Sequence, residues 1–196
     1  MKKETPKVKK IHHDRPKPED VVQAPQDAPV PEPALATVFE AETFADLKLN
    51  NKLHEILAEA GFSKLTSVQK YGIPNLIKHR NVVLKSETGS GKTLAYLVPL
   101  IEHLSKYSLE VEKISRDKGT YCVIFSPTRE LCVQIEVEMN KLLKLFYYMI
   151  TGTIMGGENP KKEKAKLRKG LTVVIATPGR LLYHLQNTAS INFSRL

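Results

Sequence analysis

The chain has 196 residues, 41% of them hydrophobic and 26% charged, a composition usual for a globular protein with room for one domain and a tail. Its formal net charge of +9 points to an anionic partner without saying which one. The two cysteines, Cys122 and Cys132, have neither a metal nor a redox spacing, and no apolar run is long enough to span a membrane. No apolar stretch follows Lys2 and Lys3, so we see no secretory signal and expect an intracellular soluble chain.

The first stretch of the chain, residues 1–33, contains seven of the twelve prolines and no glycine. Proline at that density removes backbone donors, and few apolar residues are present to offset the entropy of ordering. We therefore predict a disordered tail over residues 1–36 and one folded domain over residues 37–196. The lysines among residues 2–10 fit either a nuclear import signal or a solvated tail.

Two helices and a strand are predicted at the start of the domain. Apolar residues at helical spacing lie between Asn50, which can cap a helix, and Gly61, which can end one. A second helix begins near Thr66, and Pro74 should end or kink it. The apolar run 81–85 is typical of a short buried strand.

Strands and helices alternate through the rest of the chain. Further helices are predicted at residues 93–104, 129–145, 161–168 and 178–187, and further strands at 120–125, 147–153 and 171–176. Strands that alternate with helices predict a mostly parallel sheet covered on both faces. The predicted fold class is therefore α/β.

The stretch "SETGSGKT" (residues 86–93) lies between a predicted strand and a predicted helix. Glycines let successive backbone N–H groups point into one concavity, and the helix start adds a partial positive charge. In such a loop Lys92 would reach the β- and γ-phosphates, and the Thr93 hydroxyl would bind Mg²⁺. Ser86 stands where the usual pattern has glycine, and a flexible turn with a solvated lysine is the alternative. The order of strand, loop and helix favours a nucleotide.

Two further strand-to-helix junctions share this construction. In "VIFSPTRE" and "VIATPGR" a hydroxyl residue can cap the helix, proline occupies its opening, and an arginine follows, Arg129 in the first and Arg180 in the second. Well-made caps with surface arginines are the alternative for each junction alone. In a parallel sheet all three junctions lie on the edge where α/β sheets bind ligands, which favours a nucleotide site beside a polyanion track.

The stretch "GFSKLTSVQ" (residues 61–69) supports two interpretations. Thr66 and Gln69 have the spacing of a capping box, so Gln69 could simply close the start of a helix. A glutamine amide also matches the N6 donor and N7 acceptor of adenine. Physical chemistry alone does not choose between the two.

Together these motifs resemble the first half of a DEAD-box RNA helicase. In that family a glutamine motif follows an isolated aromatic residue, and here Phe44 lies 17 positions before Gly61. The family's nucleotide loop, its Pro-Thr-Arg-Glu-Leu motif, its paired glycines and its Thr-Pro-Gly-Arg motif correspond to Ser86–Thr93, 127–131, 156–157 and 177–180. The resemblance covers Phe44 to Leu196 and implies a RecA-like parallel α/β domain.

The resemblance also implies a role for each matching residue. Lys92 and Thr93 would act in catalysis, with Thr93 as the Mg²⁺ ligand, while Gln69 reads adenine and Phe44 packs on it. The nucleotide-binding residues it implies are Phe44, Gln69, Ser86, Glu87, Thr88, Gly89, Ser90, Gly91, Lys92 and Thr93. The RNA-backbone residues it implies are Pro127, Thr128, Arg129, Gly156, Gly157, Thr177, Pro178, Gly179 and Arg180.

The sequences of the stretches "LTSVQK" and "MGGENPKKEKAKLRKG" are most similar to those of the ribosome-assembly branch of the family. This similarity implies pre-ribosomal particles as partners and a nuclear, nucleolar location. No strand here ends in Asp-Glu, so we expect a fragment truncated before the Asp-Glu-Ala-Asp motif and inactive alone. The alternatives are a stand-alone nucleotide- or RNA-binding module and another phosphate-loop enzyme such as a small kinase.

Overall fold

The computed structural model describes residues 42–196, so the predicted tail and its import signal lie outside the described residues. The helices in this part of the chain are α1 (Asn51–Glu59), α2 (Ser67–Ile77), α3 (Lys92–Glu110), α4 (Arg129–Leu142), α5 (Pro160–Lys169) and α6 (Pro178–Asn187). The strands are β1 (Cys122–Phe125), β2 (Thr151–Ile154) and β3 (Val173–Ala176). None of these helices is both long enough and apolar enough to cross a lipid bilayer.

The three strands form one parallel sheet in the order β1-β3-β2. Because all three run in the same direction, their carboxyl ends meet at one edge of the sheet. Backbone hydrogen bonds continue there, from Ser126 N to Ala176 O at 3.0 Å and from Thr177 N to Ile154 O at 3.1 Å. The loops that lead into α4, α5 and α6 therefore start side by side.

Both faces of the sheet are covered, and the central strand β3 shows this most clearly. All four of its residues, Val173–Ala176, are 0% exposed. The first and third pack into the large apolar cluster built with α1, α3 and α4, and the second and fourth pack with Leu167 of α5 and Leu181 of α6. Successive side chains of a strand point to opposite faces, so helices lie on both sides of the sheet. The predicted parallel α/β fold is confirmed.

The strand predicted over residues 81–85 is wrong. These residues pair with no strand in the described part of the chain, and Val83 is 97% exposed. Leu84 nevertheless packs towards α2, since one of its methyl carbons would lie 3.1 Å from a Cβ built on Gly72. A short apolar run shows that side chains favour burial, but it carries no information about which backbone lies beside it.

Several element boundaries differ from the predicted ones. Helix α2 continues through Pro74 to Ile77, so this proline does not end it. Helix α3, which contains Pro99, extends to Glu110 rather than ending at residue 104. The two helices pack along each other, and this burial outweighs the hydrogen bond that each proline removes. Strand β2 covers Thr151–Ile154 rather than 147–153, whereas α6 has the predicted bounds.

Candidate nucleotide and nucleic-acid sites

The predicted phosphate loop is a tight turn that leads directly into α3. Gly91 is the N-cap residue with a φ of +89°, a conformation that residues with a side chain rarely adopt. The Lys92 side chain folds back over the loop, where its Nζ donates to Ser86 O at 2.6 Å and also to Glu87 O. The ammonium group is thus held beside the first turn of α3, whose backbone N–H groups have no helical partners. This combination fits a bound phosphate.

Thr93, the predicted Mg²⁺ ligand, lies half-buried in the first turn of α3. Its hydroxyl is hydrogen-bonded to Tyr96; burial raises the pKa of the Tyr96 phenol, and this hydrogen bond partly opposes the rise. Residues 42–196 contain no group of three or more His, Cys, Asp or Glu side chains that could hold a metal ion. The role of Thr93 as a Mg²⁺ ligand stays a prediction.

Gln69 lies beside the phosphate loop and is 3% exposed. Its Oε1 accepts from Thr66 N at 3.0 Å, while the Thr66 hydroxyl accepts from the Gln69 backbone, so the capping box is formed. Its Nε2 donates to Gly91 O at 3.1 Å. One amide thus connects the start of α2 to the phosphate loop, and its recognition of adenine stays a prediction.

The segment that contains Phe44 lies against the stretch 61–69. Phe44 N donates to Ser63 O at 3.0 Å, and the Phe44 ring contacts the Phe62 ring with 6.3 Å between centroids. The Phe44 side chain lies in the apolar core and is 2% exposed. The structure therefore places Phe44 beside the glutamine motif, with little of its ring accessible to a ligand. Packing of Phe44 on adenine stays a prediction.

The three loops predicted to hold nucleic acid all leave the sheet at its carboxyl edge. They follow β1, β2 and β3 and lead into α4, α5 and α6. Thr128 caps α4, where its Oγ1 accepts from Leu131 N at 3.3 Å. Thr177 is the N-cap residue of α6, and Pro178 occupies the first position of that helix. Helix starts of this kind direct unpaired N–H groups at an anion.

Arg129 and the paired glycines meet at this edge. Gly157 has a φ of +91°, and a Cβ at this position would lie 2.5 Å from the Arg129 Cζ. The guanidinium therefore lies directly on the Gly157 backbone. Arg129 is exposed, and its side chain has no hydrogen bond or ion pair among the described residues. Its charge is available to an anion that binds here.

Arg180 has a different environment, although it follows a similar motif. Its Nε donates to Glu163 Oε2 at 2.6 Å, and its Nη2 donates to Glu158 O at 3.0 Å. The Arg180 side chain is 16% exposed, and that of Glu163 is 0% exposed. The charge of Arg180 is therefore engaged within the protein.

His184 completes this cluster from the next turn of α6. Its Nε2 lies 2.8 Å from Glu163 Oε2, and its Nδ1 lies 2.9 Å from Thr188 Oγ1. The other carboxylate oxygen of Glu163 accepts from Met155 N at 3.0 Å. Glu163, His184 and Arg180, referred to below as the Glu163 cluster, thus connect α5, α6 and the loop after β2.

The sequence alone did not identify Glu163 and His184 as site residues. In the basic run 161–169, Glu163 is a lone acidic residue, and the composition of that run predicts a general positive field for RNA, with a solvated face as the alternative. In the structure Glu163 shares the buried face of α5 with Leu167, four residues later. An acidic residue at an apolar position of a helix needs a buried partner, and that pattern could have revealed it.

A parallel α/β domain with a phosphate loop and two further helix starts at a sheet edge defines a nucleotide-binding domain of the P-loop class. Residues 66–196 match the DEAD/DEAH box helicase family, and this range contains the phosphate loop and all three loops at the carboxyl edge. The chain therefore belongs to the DEAD/DEAH box helicase family, and the resemblance predicted from its motifs is confirmed.

Relatives with curated names agree with this assignment. The chain is 44% identical over 153 residues to the ATP-dependent DNA helicase DDX31 of Dictyostelium discoideum, covering 78% of this chain and 16% of that protein. It is 43% identical over 169 residues to the human protein of the same name, covering 86% and 20%. It is 41% identical over 163 residues to the ATP-dependent RNA helicase dbp7 of Aspergillus niger, covering 79% and 21%. The chain spans about one fifth of the length of these relatives.

Proposed function

We propose that this chain is the ATP-binding and RNA-binding part of an ATP-dependent RNA helicase. The observation that carries the proposal is the occurrence, in one family member, of a phosphate loop at the start of α3 together with three strand-to-helix loops at the carboxyl edge of the sheet. The relatives named above as ATP-dependent helicases support it. A small kinase would explain neither Gln69 with Phe44 nor the two Pro/Arg loops that lead into α4 and α6.

The nucleotide is proposed to bind across residues 86–93. Lys92 would turn from its loop carbonyls to the β- and γ-phosphates, and the Thr93 hydroxyl would hold Mg²⁺ in place of its hydrogen bond with Tyr96. Mg²⁺ would neutralise phosphate charge there. Gln69 keeps one amide hydrogen and one acceptor lone pair beyond its two bonds inside the protein, which is the minimum for pairing with the adenine edge.

RNA is proposed to lie along the carboxyl edge and to be held by its backbone. Arg129 provides a positive charge that is unpaired among residues 42–196, and the starts of α4 and α6 provide N–H groups. Contacts of this kind position a nucleic acid without reading its sequence. We therefore propose little sequence preference, with hydrolysis and strand separation as activities of the whole protein.

The cellular role is proposed to be ribosome assembly, on pre-ribosomal particles in the nucleolus. The support is the similarity of "LTSVQK" and "MGGENPKKEKAKLRKG" to that branch of the family. A second candidate substrate is DNA, because two of the relatives carry the name DNA helicase. Competition between oligouridine and a DNA strand of equal length and base content separates the two, since only RNA offers a 2′-hydroxyl.

The nucleotide site is tested with a fluorescent ATP analogue. Lys92→Ala should abolish its binding, because no other side chain of the loop carries a positive charge. Gln69→Ala should reduce the preference for ATP over GTP. If the unaltered chain binds the two nucleotides equally, Gln69 only closes the helix and supports the loop. Lys85→Ala, just before the loop, is the charge-matched control.

A further inference from the structure

The loop after β2, residues 155–159, is anchored at both ends by the Glu163 cluster. Glu163 Oε1 accepts from Met155 N at 3.0 Å at the start of the loop, and Arg180 Nη2 donates to Glu158 O at 3.0 Å near its end. The two anchoring residues also bind each other at 2.6 Å. The paired glycines lie between these two anchors, so the ion pair between Glu163 and Arg180 fixes the distance between the two ends of their loop.

The two arginines at the carboxyl edge therefore differ in what they can offer to RNA. Arg129 is exposed and has no ion pair among the described residues, whereas Arg180 is paired with a carboxylate that is 0% exposed. The Arg180 side chain is 16% exposed, and two of its nitrogens already donate to Glu163 and Glu158, so its charge is compensated inside the protein. Leaving Glu163 for a phosphate would create an unpaired buried carboxylate, which is strongly unfavourable. His184 contacts the same carboxylate but carries no permanent charge to replace Arg180.

We propose, on the basis of the RNA-binding role above, that Arg180, Glu163 and His184 are positioning residues for RNA and that Arg180 is not a phosphate ligand. The cluster holds the paired-glycine loop and the start of α6 in the arrangement that RNA meets. Arg129 supplies the charge at this edge. This assignment replaces the expectation that both arginines contact the RNA backbone.

The salt dependence of binding to a labelled oligouridine separates charge from position. Arg129→Gln should lower the log–log salt slope by about 0.7, because each phosphate contact on a single strand contributes that amount. The double variant Arg180→Gln, Glu163→Gln removes one charge of each sign and should leave the slope unchanged. It should weaken binding at every salt concentration by a similar factor, on the order of fivefold, because the loop must now be ordered when RNA binds.

Two results would overturn the proposal. A slope that falls by about 0.7 in the double variant would show that Arg180 contacts a phosphate itself. An unchanged affinity, measured well below the melting temperature, would show that the cluster only stabilises the fold. Circular dichroism melting establishes the temperature at which each variant is fully folded.

Arg180→Lys keeps the charge and serves if the double variant does not fold. The single ammonium group of lysine can pair with Glu163, but lysine has no second nitrogen that could donate to Glu158 O as the guanidinium of Arg180 does. We expect an unchanged salt slope and weaker binding; affinity equal to that of the native chain would contradict the proposal.

Hydrogen exchange decides the same question without RNA. Amides of residues 155–159 should exchange faster in either variant, while those of β3 remain protected; equal protection of the loop would refute the positioning role. If the native chain binds no oligouridine, or if Arg129→Gln has no effect on the slope, the proposed RNA function fails instead. The exchange result still shows whether the cluster orders the loop.

Discussion

Replacement of Gly91 by alanine tests the contact between the glutamine motif and the phosphate loop. Gly91 has a φ of +89°, and a Cβ there would lie 2.4 Å from the Gln69 Nε2 atom. The alanine would therefore meet two main obstacles, its own backbone conformation and the amide of Gln69, while the Thr66 Oγ1 atom at 3.3 Å is a lesser contact. Gly89 is a matched control, since its φ is +77° but a Cβ would have no neighbour within 4 Å.

The expected free-energy changes follow from these two obstacles. A left-handed backbone costs a residue with a side chain about 1–2 kcal/mol, and this applies to both glycines. At position 91 the Gln69 amide must also withdraw, because the new Cβ would come too close to it. It can do so because it is the flexible end of a side chain. Withdrawal breaks its hydrogen bond to Gly91 O, worth about 0.5–1.5 kcal/mol. Gly91→Ala should therefore be about 1 kcal/mol more destabilising than Gly89→Ala.

Thermal unfolding followed by circular dichroism measures this difference. For a domain of this size, 1 kcal/mol corresponds to about 2–4 °C in Tm. Both substitutions are then repeated in a Gln69→Ala background, where no amide remains to be displaced. There the losses of stability in the two alanine variants should become nearly equal, since only the lesser contact with Thr66 Oγ1 remains.

Equal destabilisation by Gly91→Ala and Gly89→Ala in the native background would refute the reasoning. It would mean that the Gln69 amide does not rest against the loop in solution. A difference that persists after Gln69→Ala would also contradict it, because another group would then be the obstacle.

Two further predictions concern stability. Asn50→Ala should cost about 2 kcal/mol of stability, because Asn50 caps α1 and also donates to Ser105 Oγ at 3.2 Å. Asn159→Ala removes only the cap of α5 and should cost about 1 kcal/mol. Urea unfolding measures both values, and equal costs would exclude a contribution from Ser105. Burial raises the pKa of the Cys122 thiol from 9.0 to about 11, so the folded state binds more protons than the unfolded state between these values. The free energy of unfolding should therefore fall as the pH rises through that window, by up to about 3 kcal/mol relative to the Cys122→Ala variant. If the free energies of unfolding of the two proteins change in parallel with pH, the thiol is not buried.

The local features of this fold are present in the sequence. The helix starts at Asn50 and Thr128 are determined by side chains that cap backbone groups two or three residues away. The helix start at Thr177 is determined by the proline that follows it. The alternation of apolar strands with amphipathic helices likewise predicts the parallel sheet, because both patterns arise from the backbone periodicities themselves. The family motifs lie within such short stretches, so they too can be identified from the sequence alone.

The tertiary structure decided what depends on distant residues. Residues 81–85 have the composition of a strand, but a strand needs a partner, and the described chain places none beside them. Pro74 lies within α2 because packing against α3 outweighs its local effect. Propensity acts through neighbours in the chain, whereas these outcomes depend on neighbours in space.

The two arginines show this distinction most directly. Both follow a strand, a hydroxyl residue and a proline, so their local sequences predict the same role. Only the fold brings the buried carboxylate of Glu163 to Arg180 while leaving Arg129 exposed on Gly157. The sequence determined that two arginines stand at helix starts on one edge of a sheet. Which of them keeps a free charge was decided by a residue on a third helix, because electrostatic pairing follows distance in space rather than distance along the chain.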